Sequence, residues 1–123
     1  MARTLKGVDA NGAAKLMKDG ALMVDVREPG EYARGHIPGS ENVALSRFDV
    51  SPLQLGEGQA VVFFCASGNR TSMNAARLAA KAGGAEAYVL QGGISAWGRA
   101  GLPVESGSSE DGGQRGFFAR MFG

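Results

Sequence analysis

Five consecutive apolar residues, Ala60-Val61-Val62-Phe63-Phe64, are followed at once by Cys65-Ala66-Ser67-Gly68-Asn69-Arg70-Thr71 and then by an alanine-rich stretch reaching Ala82. A run of β-branched and aromatic residues with no polar alternation is the pattern of a strand buried on both faces. Such a strand needs a sheet with helices packed on either side. The stretch from Thr71 to Ala82, with Met73, Ala76, Leu78 and Ala79, predicts a helix immediately after the loop.

The same alternation recurs along the chain. Asp9 is placed to cap a helix from Ala10 to Lys18, with Ala13, Ala14, Leu16 and Met17 as its apolar face and Gly20 as its stop. Ala21-Leu22-Met23-Val24 predicts a second buried strand, which delivers Asp25, Arg27 and Glu28 to its carboxyl end. Pro29 opens a helical turn through Tyr32 that Gly35 breaks, His36-Ile37-Pro38-Gly39-Ser40 forms a turn before Asn42-Val43-Ala44, and Pro52, Gly56 and Gly58 mark a loop. Ala87-Tyr88-Val89-Leu90 predicts another strand, Gly92-Gly93 a tight turn, and Ile94 to Arg99 a short helix. Strands alternating with helices predict a three-layer α/β domain with a mainly parallel central sheet.

A chain of 123 residues fits one such domain. Residues 1–104 are assigned to it, residues 105–115 to a Gly/Ser-rich flexible linker, and residues 116–123 to an aromatic amphipathic tail. A net charge of +1 gives no electrostatic footprint for nucleic acid. No apolar run has signal-peptide or membrane-spanning character, so the expected location is cytoplasmic. The single cysteine and single histidine exclude an internal disulfide and a structural zinc site, and no cofactor is expected. In the tail, Phe117, Phe118, Met121 and Phe122 fall on one helical face beside Arg115 and Arg120. Docking on the domain itself or on a partner is expected ahead of weak membrane contact.

The segment from Cys65 to Thr71 joins a buried strand to a helix N-terminus, where backbone amides converge on a shared centre and bind anions. Cys65 sits inside that cradle, and the amides together with the helix dipole favour its thiolate. Gly68 suits a positive φ, Asn69 tolerates left-handed geometry, Arg70 offers a permanent cation to an oxyanion or a structural carboxylate, and Thr71 is placed to cap the helix. The blander alternative is a buried structural cysteine. The anion-binding surroundings favour a nucleophile.

Three segments together resemble the rhodanese homology domain, over about residues 5–104. Asp25-Val26-Arg27-Glu28 with Glu31-Tyr32 and Gly35-His36-Ile37-Pro38-Gly39-Ser40 resembles the family's N-terminal signature. Leu90-Gln91-Gly92-Gly93-Ile94-Ser95-Ala96-Trp97 resembles the C-terminal signature, and the stretch from Cys65 to Thr71 resembles the active-site loop. The resemblance implies a sulfurtransferase in which Cys65 takes the outer sulfur of thiosulfate or a persulfide, with Ala66, Ser67, Gly68, Asn69, Arg70 and Thr71 forming the anion-binding loop. Without a second cysteine, the acceptor comes from elsewhere: cyanide, glutathione, thioredoxin or a partner protein's cysteine. With Arg70 as the loop's only cation, thiosulfate is expected to be a mediocre donor and a persulfide a better one.

Asp25, Arg27 and Glu28 are candidates to hold Arg70 or tune Cys65, with internal pairing that shapes the domain weighed first. His36 is expected to be a hydrogen-bonded turn residue and Trp97 a core plug. Two alternatives stay open. A cysteine phosphatase or arsenate reductase on the same scaffold is disfavoured because four residues, not five, separate Cys65 from Arg70. A rhodanese-like interaction module is disfavoured because the cysteine is intact.

Overall fold

The computed structural model describes residues 5–107. Five strands form one sheet in the order β1-β5-β4-β2-β3 (β1 Lys6–Val8, β2 Leu22–Asp25, β3 Glu41–Asn42, β4 Val61–Phe64, β5 Ala87–Leu90), every pairing parallel. The helices are α1 (Ala10–Lys18), α2 (Pro29–Arg34), α3 (Asn69–Met73), α4 (Ala75–Ala82) and α5 (Gly93–Arg99), with a 3-10 helix over Leu45–Val50. The expected α/β domain is present, and its sheet is parallel throughout. No helix among the described residues is long and apolar enough to cross a membrane.

The strand pleat explains why β4 is apolar without interruption. Successive side chains alternate between faces, so Val61, Phe63 and Cys65 enter a cluster with Val24, Phe48, Leu78 and Ala82. Val62 and Phe64 enter the opposite cluster with Ala10, Ala13, Met23, Leu90 and Trp97. α4 and the 3-10 helix cover the first face, and α1 and α5 the second. β4 lies between β2 and β5, with Asp25 paired to Phe64 across the ladder. That register places the acidic end of β2 beside the start of the Cys65 loop.

Four local features differ from expectation. The strand β1 was not anticipated, because three residues with an exposed Lys6 and Gly7 carry no local strand signal and the pairing to Tyr88, Val89 and Leu90 defines it. Segment 45–50, for which the sequence predicts no helix, forms a 3-10 helix that buries Phe48. The single helix expected from Thr71 to Ala82 is broken at Asn74, whose φ of −119° leaves the helical region and whose Nδ2 donates to the Arg70 carbonyl at 2.8 Å. The break resets the helical phase, so Leu78, Ala79 and Ala82 face the sheet while Met73 is 83% exposed.

The fourth is at the end of the domain. Glu105, expected to begin the linker, pairs with His36 through backbone bonds of 2.7 and 2.8 Å, and the Gly107 amide donates to the Ala33 carbonyl at 2.7 Å. His36 is buried, stacks on Tyr32, donates from Nδ1 to the Tyr32 carbonyl at 2.8 Å and places Nε2 3.3 Å from the Glu105 carboxylate. The aromatic tail and the remainder of the linker lie outside the described residues.

Candidate active site

The loop leaves β4 at its carboxyl end and turns back into α3. Gly68 makes that turn with φ of +102°, a left-handed conformation that favours glycine. The Gly68 amide then points inward and donates to Cys65 Sγ at 3.1 Å. The Thr71 hydroxyl donates to the Gly68 carbonyl at 3.1 Å and lies 3.8 Å from Sγ. Burial pushes the Cys65 thiol up, but the Thr71 and Gly68 amides, the Thr71 hydroxyl and the Ser67 amide outweigh it and hold the thiol below its ordinary value. Donors around a buried sulfur favour the thiolate, the nucleophilic form of cysteine.

The rim of the cradle is held by α5. The Ile94 amide donates to the Cys65 carbonyl at 2.9 Å and the Ser95 amide to the Ala66 carbonyl at 3.0 Å. Two amides of the first turn of α5 are thus satisfied by the loop, which fixes the loop's outer carbonyls and turns its own amides towards Sγ. Gly93 makes this approach possible. Its φ is +59°, and a Cβ there would collide with the Cys65 and Ala66 carbonyls. Gly93 is therefore a clamp on the Cys65 loop.

Arg70 is held by Glu31. Nη1 and Nη2 reach Oε1 and Oε2 at 2.7 and 2.9 Å in a bidentate pair. Glu31 Oε1 also accepts the Glu28 amide at 3.0 Å, closing the first turn of α2. The Arg70 guanidinium is the chief cause that lowers the Glu31 carboxyl from 4.5 to about 2, against burial and with help from the Glu28 amide.

The residues considered for that role sit elsewhere. Asp25 and Arg27 form a buried pair at 2.7 Å, with Arg27 Nη2 also donating to the Gly35 carbonyl at 2.6 Å. The Glu28 carboxylate accepts the Ser46 hydroxyl at 2.6 Å, tying α2 to the 3-10 helix. Neither acid touches Arg70. Thr71 does not cap a helix: Gly68 occupies the N-cap and Thr71 lies inside α3, where its hydroxyl faces Cys65. Asn69 opens α3 in helical geometry, and the left-handed position belongs to Gly68. Trp97 is buried, with its indole N–H donating to the Pro103 carbonyl at 2.8 Å.

The family model described as the rhodanese-like domain matches residues 9–100, which contain all of these elements except β1. The chain belongs to the rhodanese-like domain family. An uncharacterised Synechocystis protein is 41% identical over 87 residues, 71% of this chain and 48% of that protein. The uncharacterised protein YqhL of Bacillus subtilis is 36% identical over 63% of this chain and 61% of its own length. This rhodanese-like chain therefore spans about half to three-fifths of those two relatives. A Pseudomonas aeruginosa protein named thiosulfate sulfurtransferase GlpE is 33% identical over 89% of this chain and 98% of that one. Among solved structures, a rhodanese-related protein of Thermoplasma volcanium superposes with a TM-score of 0.65 at 27% identity, covering 81% of this chain and 97% of the other. A thiosulfate sulfurtransferase of Pseudomonas aeruginosa superposes with a TM-score of 0.69 at 28% identity, covering 88% of this chain and 20% of the other.

Glu31 is the residue at this site to which the sequence alone assigns no role. Its signal was available only as part of the N-terminal signature, because the contact with Arg70 spans 39 residues.

Proposed function

We propose that this rhodanese-like domain is a sulfurtransferase in which Cys65 carries a sulfane sulfur as a persulfide. The observation that supports it most is the convergence of the Gly68, Ser67 and Thr71 amides and the Thr71 hydroxyl on one buried thiol. Those donors favour the attacking thiolate, and they suit the terminal sulfur of a bound persulfide anion equally well.

The cycle has two displacements. The Cys65 thiolate attacks the outer sulfur of thiosulfate or of a small persulfide; the donor's S–S bond breaks and its electron pair leaves on sulfite or on the donor thiolate. The acceptor thiolate, or cyanide, then attacks the outer sulfur of the enzyme persulfide, and the electron pair returns to Cys65 Sγ. The chain has one cysteine, so the acceptor is another molecule: glutathione, thioredoxin or a partner protein's thiol. Because Glu31 neutralises Arg70, the loop attracts a dianion weakly, which favours a persulfide donor over thiosulfate.

Steady-state transfer from each donor to cyanide, read as thiocyanate, tests this against the Cys65→Ser variant. Activity that disappears in Cys65→Ser while thermal unfolding stays near wild type is the expected result. Transfer that survives in the variant, or hydrolysis of an aryl phosphate in place of thiocyanate formation, would overturn it.

A further inference from the structure

A cleft of about 370 Å³ opens beside the Cys65 loop, lined by Arg27, Glu31, Arg34, Gly35, Ile94 and Val104. It adjoins the loop from two sides. Glu31 grips Arg70, and the Ile94 amide holds the Cys65 carbonyl. Three of its six lining residues are charged, and two of those are already neutralised: Arg27 by Asp25, and Glu31 by Arg70. The Arg34 side chain makes no hydrogen bond or ion pair among the described residues, and it is exposed at the end of α2. The half-buried Ile94 and Val104, which is 47% exposed, line the same cleft. The cleft therefore offers one unneutralised guanidinium and an aliphatic wall.

We propose that this cleft is the subsite for the non-sulfur end of the substrate, and that Arg34 selects small thiols and their persulfides bearing a carboxylate on a short aliphatic stem. The assignment rests on the sulfur-transfer reading above. In the acceptor step, the carboxylate pairs with Arg34, the stem lies on Ile94 and Val104, and the thiolate meets the Cys65 persulfide. The S–S bond to Cys65 breaks, a new S–S bond forms on the acceptor, and the electron pair stays on Cys65 with no net oxidation. Arg34 is a specificity-determining residue and takes no part in bond making. A basic residue in the last turn of a helix also complements the helix dipole, but that role predicts no preference among ligands.

The test uses probes that need only the Cys65 thiol. N-ethylmaleimide and 3-maleimidopropionate share one reactive ring and differ in the carboxylate. At low salt, wild type is expected to react faster with the carboxylate probe, relative to free cysteine, and Arg34→Ala to lose about two- to fivefold of that preference while its N-ethylmaleimide rate stays unchanged. Lys18→Ala removes one positive charge from the end of α1, the end of the domain at which β2 begins and away from the loop, and is expected to keep the preference. No preference in wild type, a preference untouched in Arg34→Ala, or an equal loss in Lys18→Ala would overturn the assignment. Failure of Cys65 to load sulfur would count against the sulfur-transfer reading instead, since alkylation does not depend on it.

Discussion

Replacing Glu31 with glutamine removes the charge that holds Arg70 while keeping the side chain's size. In the wild type, the carboxyl is depressed from 4.5 to about 2, which at face value corresponds to about 3 kcal/mol. The pair is partly exposed, with side-chain exposures of 38% for Arg70 and 28% for Glu31, so solvent screening reduces the contribution to about 1 kcal/mol. Glu31→Gln should therefore lower Tm by about 4–8 °C at neutral pH.

The sign of the pH dependence is fixed by the depression of the folded-state value. The contribution is complete above the unfolded carboxyl's 4.5 and is lost as pH falls towards about 2. In urea denaturation, the gap between wild type and Glu31→Gln should be constant from pH 7 to about 5.5, with most of it gone by about pH 3.5. A gap that stays constant down to pH 3.5, or widens on acidification, would refute the assignment of Glu31 as the carboxylate that holds Arg70.

Other perturbations separate the cradle from its supports. Thr71→Val keeps the shape but removes the hydroxyl that donates to the Gly68 carbonyl, which keeps the Ser72 amide at 3.1 Å, and that lies 3.8 Å from Sγ; stability should fall by about 0.5–1.5 kcal/mol, and the inflection of iodoacetamide alkylation against pH should move upward. An unmoved inflection would show that the amides alone set the thiol's acidity. Gly93→Ala forces a Cβ into the Cys65 and Ala66 carbonyls at a positive φ and should cost about 2–4 kcal/mol by thermal unfolding, with the alkylation rate of Cys65 also changed. Wild-type stability and reactivity in that variant would show that the loop does not need the clamp.

What could be read without coordinates was what local chemistry determines. Asp9 caps α1 through its carboxylate, which accepts the Gly12 amide at 2.8 Å, and β5 spans the four residues whose apolar run announced it. Gly68 takes the positive φ that its place in the loop required. Features that depend on distant partners were not legible. β1 exists through β5, and the restraint of Arg70 through an acid on another helix. Asp25, Glu28 and Glu31 stand within seven positions of one another, and each can pair with an arginine. Only the placement of α2 against α3 decides that Glu31 meets Arg70, while Asp25 turns to Arg27 and Glu28 to Ser46.

The central claim is that Cys65 carries sulfur, and intact-protein mass spectrometry tests it most directly. After incubation with a small persulfide or with thiosulfate, wild type should gain the mass of one sulfur, localised to the peptide containing Cys65 and removed by a cyanide chase. Cys65→Ser should gain nothing. Wild-type protein that acquires no sulfur from either donor, with its thiol free and reactive, would contradict the account.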